Sequence, residues 1–284
     1  MAQLLQGLGQ LEDRYKAVLC DVWGVVHNGV DVYRQADDAL TQFRAAGGRV
    51  VLITNSPRRH IGVEQQLGEM GVSPAMRDAV VTSGDVTRTL IQRGPEQVFH
   101  LGPERDQPLF AGLDRTMVPL EEAETIVCTG LFEDEMETPD DYAAMLAIAR
   151  ERSLPFICAN PDIVVERGER MIWCAGALAR AYQAIGGLVH VAGKPHAPIY
   201  KLAMETLADI SSAPIAAEDI LCIGDGLPTD VKGANDKGLD LLYTSAGIHA
   251  GEYGDTEQPD EGRLHRFLAD NGAHAAFWMP RLVW

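Results

Sequence analysis

"VLCDVWGVVHNG", residues 18–29, is an apolar run that delivers Asp21 into a glycine-bearing turn. The run "KAVLCDVW" (16–23) lacks polar–apolar alternation, which predicts a strand buried on both faces. An acidic residue at the end of such a strand can present a nucleophile, and it can equally well cap a turn. Two residues on, where a second carboxylate would complete an acid/base pair, stands Trp23.

The same pattern repeats outward from this strand. "RQADDALTQFRAAG" (34–47) has helical apolar spacing and a terminal glycine, and "GRVVLITNSP" (48–57) is a second buried strand stopped by Asn-Ser-Pro. A helix over 58–71, a strand over 78–84 and a helix over 85–94 follow. Apolar strands alternating with helices predict an α/β fold, a doubly wound, Rossmann-like parallel sheet. The middle of the chain carries its own strands and helices, in "EQVFHLGP", "AETIVCTGL", "TPDDYAAMLAIARERS" and "LPFICANPD", so it reads as an inserted α/β domain. We therefore expect a core of residues 1–84 and 184–284 interrupted by a domain of 85–183. The acidic, glycine-rich stretch 249–262 reads as solvated surface.

Composition narrows the function. The chain has 284 residues, enough for one large or two modest domains, and 24 basic against 41 acidic side chains give a net charge of −17. That balance argues against nucleic acid or an anionic membrane as partner, while leaving room for a locally positive pocket and a small anionic substrate. The N-terminus lacks a basic start with an apolar core, and no uninterrupted apolar stretch is long enough for a membrane span. Cys20, Cys128, Cys158, Cys174 and Cys222 form no CxxC pair. They are expected to be reduced, buried thiols, and the location cytoplasmic.

Four spots carry chemistry, each at the predicted C-terminal end of a strand, where open parallel sheets bind ligands. They are Asp21; Thr54 and Asn55 in "ITNS"; Lys194 in "VAGKP"; and Asp225 and Asp230 in "IGDGLPTD". Taken singly, each also reads as an ordinary turn or cap. Together, three carboxylates, a lysine and a hydroxyl converging on one edge suit phosphoryl chemistry. That chemistry needs a nucleophile, a divalent cation and donors for the phosphate oxygens.

The ordered set "DVWGV", "ITNSP", "AGKP" and "GDGLPTD" resembles the four motifs of the haloacid dehalogenase superfamily. The insertion between the second and third motifs, with "CANPD" (158–162) and "CAGAL" (174–178), is similar to its class IIA branch of sugar-phosphate, nucleotide and p-nitrophenyl phosphate phosphatases. The resemblance implies a class II α/β cap and a Mg²⁺-dependent phosphatase of small phosphorylated metabolites. In its terms Asp21 is the nucleophile that forms an aspartyl-phosphate, Thr54 holds the phosphoryl group and Lys194 pairs with both. Mg²⁺ is held by Asp21, the backbone carbonyl of Trp23 and Asp225, with Asp230 supporting the metal-bound water. Asn55 lies beside the phosphate, and Asn160 and Asp162 lie in the segment that overhangs the site. Relatives that pair through their caps keep a homodimer open.

Trp23 departs from this pattern, since the family's phosphatases carry an aspartate there as acid and base. An indole has one N–H donor and no exchangeable acid, so turnover is expected to be weakened, with His27 as a substitute base or an ordinary loop histidine. Two further readings stay open. One is a non-catalytic protein that binds a phosphorylated metabolite. The other is a dehalogenase, which needs no metal and so leaves Asp225 and Asp230 unexplained.

Overall fold

The computed structural model describes residues 1–284. In chain order its elements are β1 (Gln3–Leu4), β2 (Ala17–Cys20), α1 (Arg34–Ala45), β3 (Arg49–Thr54), α2 (His60–Glu69), β4 (Ala79–Thr82), α3 (Ser83–Arg93), β5 (Gln97–Leu101), β6 (Thr116–Met117) and β7 (Thr125–Cys128). Then come α4 (Ala143–Glu151), β8 (Phe156–Cys158), β9 (Val164–Arg167), β10 (Arg170–Trp173), α5 (Ala175–Ala184), β11 (Val189–Val191), α6 (Ala197–Ser211), β12 (Ile220–Gly224), α7 (Lys232–Lys237), β13 (Asp240–Thr244), α8 (Glu261–Asp270) and β14 (Phe277–Met279). The α/β class expected from the alternating pattern is what the chain adopts.

Two compact units divide the chain. The first comprises Met1–Thr54, Glu64–Val81 and Tyr200–Trp284. Its seven-stranded sheet has the order β1-β14-β13-β12-β2-β3-β4, and every neighbouring pair from β1 through β3 is parallel. The middle strands are buried along their whole length, which is why β2 and β12 read as unbroken apolar runs. Register places Cys20 opposite both Leu52 and Ile223, so β2, β3 and β12 end within two residues of one another.

The second unit comprises Asn55–Val63 and Thr82–Ile199. Its five-stranded sheet, β11-β8-β7-β5-β6, is parallel throughout. Tyr142, Leu146, Phe156, Leu178 and Tyr182 pack among its buried residues. An antiparallel hairpin of β9 and β10 is tied down by Arg167 on Asp134 at 3.0 Å and Arg170 on Glu135 at 3.1 Å.

The expected boundary at residue 183 falls short. Val189–Val191 pairs with Phe156–Cys158, so β11 and the segment to Ile199 belong with the inserted sheet. Lys194, which follows β11, is therefore carried by the second unit. The stretch 249–262 is also more than solvated surface. Tyr253 is completely buried, packs against Phe267 of α8 with ring centroids 5.7 Å apart, and donates its hydroxyl to the Ser245 carbonyl at 2.8 Å. No helix is long and apolar enough to cross a membrane.

Candidate active site

In the first unit the site grows out of the ends of β2 and β12. The Asp21 N–H donates to the Ile223 carbonyl at 2.8 Å, carrying the β2–β12 ladder one rung past the last strand residue. The chain then turns sharply. Val26 donates to the Val22 carbonyl and Gly24 to the His27 carbonyl, both at 2.8 Å. Gly24 has φ +88°, and a Cβ there would lie 2.4 Å from Asp225 Oδ2, so the turn needs glycine for both its conformation and the closeness of the carboxylate. After β12, residues 227–231 form one turn of π-helix. Within this loop the Asp230 N–H donates to the Gly226 carbonyl at 2.9 Å, and Asp230 Oδ2 accepts the Gly226 N–H at 3.1 Å.

These turns gather Asp21, Asp225 and Asp230, whose carboxylate oxygens lie within 4.8 Å of one another. All three are buried, at 6%, 5% and 4% exposure. Three carboxylates packed this closely away from water repel one another unless a cation sits with them. An all-oxygen donor set of this kind fits Mg²⁺ or Ca²⁺ better than a softer metal. Thr54, the last residue of β3, is also buried, one strand over from Asp21.

Trp23 and His27 face one another across the turn, with ring centroids 5.0 Å apart and planes at 70°. His27 is not a mobile loop histidine. It is 2% exposed, and its Nδ1 accepts the Gly29 N–H at 2.9 Å. Burial pulls its pKa down to about 4, so it is a held, weakly basic imidazole. The expectation that it swings in as a base fails on both counts.

The second unit collects the remaining candidates around Asn55. Its side-chain carbonyl accepts the Lys194 N–H at 2.7 Å, and its amide donates to Asp162 Oδ1 at 2.8 Å. The Asp162 N–H in turn donates to Asn160 Oδ1 at 3.1 Å. Asn55 thus braces the lysine and the 160–162 loop against each other, and its amide is committed to that task. Lys194 is 2% exposed, and its bond to Pro195 is cis.

All five cysteines are free and buried, with burial driving the Cys128 and Cys174 thiols well above their ordinary pKa and Cys158 up to about 12. They are inert packing residues, as expected. Sequence reasoning missed the 245–249 segment. The Ile248 N–H donates to Asp225 Oδ2 at 2.8 Å, and the Leu227 N–H donates to His249 Nε2 at 3.3 Å. A backbone amide leaves no trace in the residue pattern, and His249 lies in the stretch that composition marked as surface.

Comparison with known proteins agrees with this geometry. Residues 18–115 match the family model described as haloacid dehalogenase-like hydrolase, and residues 191–269 match a second, HAD-hydrolase-like model. A haloacid dehalogenase-like hydrolase from Brucella suis 1330 is 49% identical, with a TM-score of 0.90, over 99% of this chain and 100% of that one. The 5'-nucleotidase YutF of Bacillus subtilis is 26% identical over 254 residues, 86% of this chain and 93% of its own length. A glycerol phosphate phosphatase from Mycobacterium tuberculosis, solved with magnesium, is 26% identical with a TM-score of 0.64, over 84% of this chain and 70% of that one. The chain belongs to the haloacid dehalogenase-like hydrolase family.

Proposed function

We propose that this hydrolase is a Mg²⁺-dependent phosphatase of small phosphate monoesters, working through an aspartyl-phosphate on Asp21. The observation that carries the reading is the buried cluster of Asp21, Asp225 and Asp230 at the ends of β2 and β12. The nucleotidase and glycerol phosphate phosphatase among the relatives support the substrate class.

Asp21, Asp225 and the Trp23 carbonyl would hold Mg²⁺, with Asp230 beside them. The ion supplies charge neutralisation for the phosphoryl group and its oxygens. Asp21 attacks phosphorus, forming a new O–P bond as the bond to the ester oxygen breaks. The Thr54 hydroxyl and the Lys194 ammonium would bind phosphate oxygens, and Asn55 fixes the lysine's backbone while Asp162 and Asn160 shape their own loop. Trp23 has no proton to give the departing alkoxide, so water must supply it, and hydrolysis of the acyl phosphate proceeds without a local base.

A panel of phosphate esters assayed with Mg²⁺, native chain against Asp21→Asn, tests this. Phosphate release by the native chain alone supports it, and equal release by both sinks it. Trp23 is the one observation favouring a second reading, a non-catalytic binder of a phosphorylated metabolite. Tight binding with no release from any ester would establish that reading.

A further inference from the structure

We propose that His249 is the positioning residue of the metal loop: it and the Ile248 amide form a clamp, delivered from the end of β13, that sets which way the Asp225 carboxylate points. The proposal rests on the phosphatase reading of the site and extends it to a segment with no assigned role.

The clamp has three contacts. Asp225 Oδ2 accepts the Ile248 N–H at 2.8 Å, which occupies one oxygen and fixes the rotation of the other. One residue earlier the fit is tight, because a Cβ on Gly247 would lie 2.0 Å from Asp225 Oδ2. One residue later, His249 Nε2 accepts the Leu227 N–H at 3.3 Å, pinning the loop two residues past Asp225 and three before Asp230. A backbone amide can only donate, so Nε2 must be the bare nitrogen of a neutral ring with its proton on Nδ1. Partial burial lowers the pKa of His249 and keeps it neutral.

The rest of the segment is built to hold the clamp still. Its ring packs against Phe267 of α8 with centroids 5.4 Å apart. Downstream, Tyr253 reaches back to donate to the Ser245 carbonyl at 2.8 Å and meets the Tyr243 hydroxyl at 3.1 Å, both groups buried. His249 also lines a half-open pocket of about 560 Å³ with Leu227, Lys232 and Phe267. Groups that hydrogen-bond a metal ligand typically contribute 10–100-fold to metal affinity; here the Ile248 amide holds Asp225 directly and His249 holds the loop that carries it.

The test is calorimetric titration of Mg²⁺ into the full-length chain, without substrate. His249→Phe keeps the ring packing but has no acceptor, and should weaken Mg²⁺ binding at least tenfold. His249→Gln, which returns an acceptor near Nε2, should restore affinity to within about threefold. Saturating Mg²⁺ should return the Phe variant's turnover, as a purely catalytic loss would not allow. His249→Met repeats the comparison should the Phe variant not fold. Native affinity in a folded acceptor-free variant overturns the proposal alone. A folded native chain that binds no Mg²⁺ overturns the phosphatase reading and takes the proposal with it.

Discussion

The indole of Trp23, two residues past the proposed nucleophile Asp21, packs edge-on against the imidazole of His27, 5.0 Å between ring centroids. In the proposed mechanism, Trp23 stands where an acid would otherwise protonate the leaving group. The neighbouring histidine does not take over, since His27 is buried, accepts a backbone N–H and has its pKa lowered to about 4. The turn keeps its shape around a side chain that has no proton chemistry.

Restoring a carboxylate should therefore restore rate. General acid–base catalysis contributes about 10²–10⁴-fold, and Trp23→Asp should recover part of it, raising turnover of an unactivated sugar phosphate tenfold or more. The same change should matter far less for p-nitrophenyl phosphate, whose leaving group needs no proton. Steady-state rates on the two esters check this, and equal gains on both would show that protonation is not what Trp23 removed.

Acid should destabilise the fold through the buried His27 and the half-buried His100. Burial lowers His27 and His100 to about 4 from an unfolded value of 6.5. The unfolded chain therefore takes up protons first, and stability is complete above pH 6.5 and lost as pH falls toward 4. Each site is worth about 3 kcal/mol at full protonation. Urea unfolding from pH 7 to pH 4 should show the decline, and replacing His27 with Phe should flatten it. An unchanged slope in that variant would remove His27 from the account.

Asn55 should matter to the reaction without touching phosphorus. It holds the Lys194 N–H at 2.7 Å and Asp162 at 2.8 Å, so Asn55→Ala removes one hydrogen bond from each. Misplacing a phosphate-binding lysine by about 1 Å can cost roughly 100-fold. Turnover should fall on that order while Mg²⁺ affinity stays native, because none of the three clustered carboxylates depends on Asn55. Loss of Mg²⁺ binding in this variant would contradict the division of labour.

Much of this was legible because strands buried on both faces announce themselves as apolar runs. β2, β3 and β12 were readable for that reason, and so were Asp21, Thr54 and Asp225 at their ends. Elements that bury little left no such mark. β1 is two residues long, and the β9–β10 hairpin is half-exposed with only Ile172 fully buried. β11 was read as a strand, but which sheet it joins depends on pairing with β8, and a three-residue run carries no register. The His249 clamp was hidden for a different reason, since acidic and glycine-rich composition masks the buried Tyr253 that anchors it.

The most direct test of the central claim is rapid-quench kinetics with p-nitrophenyl phosphate and saturating Mg²⁺. Asp21 attacks unaided while the acyl phosphate lacks a base for its hydrolysis, so phosphorylation should outrun turnover. The account predicts a burst of nitrophenol close to one equivalent of enzyme, then slow steady release, with the burst absent in Asp21→Asn. Steady release with no burst in the native chain, or a burst that survives Asp21→Asn, would contradict it.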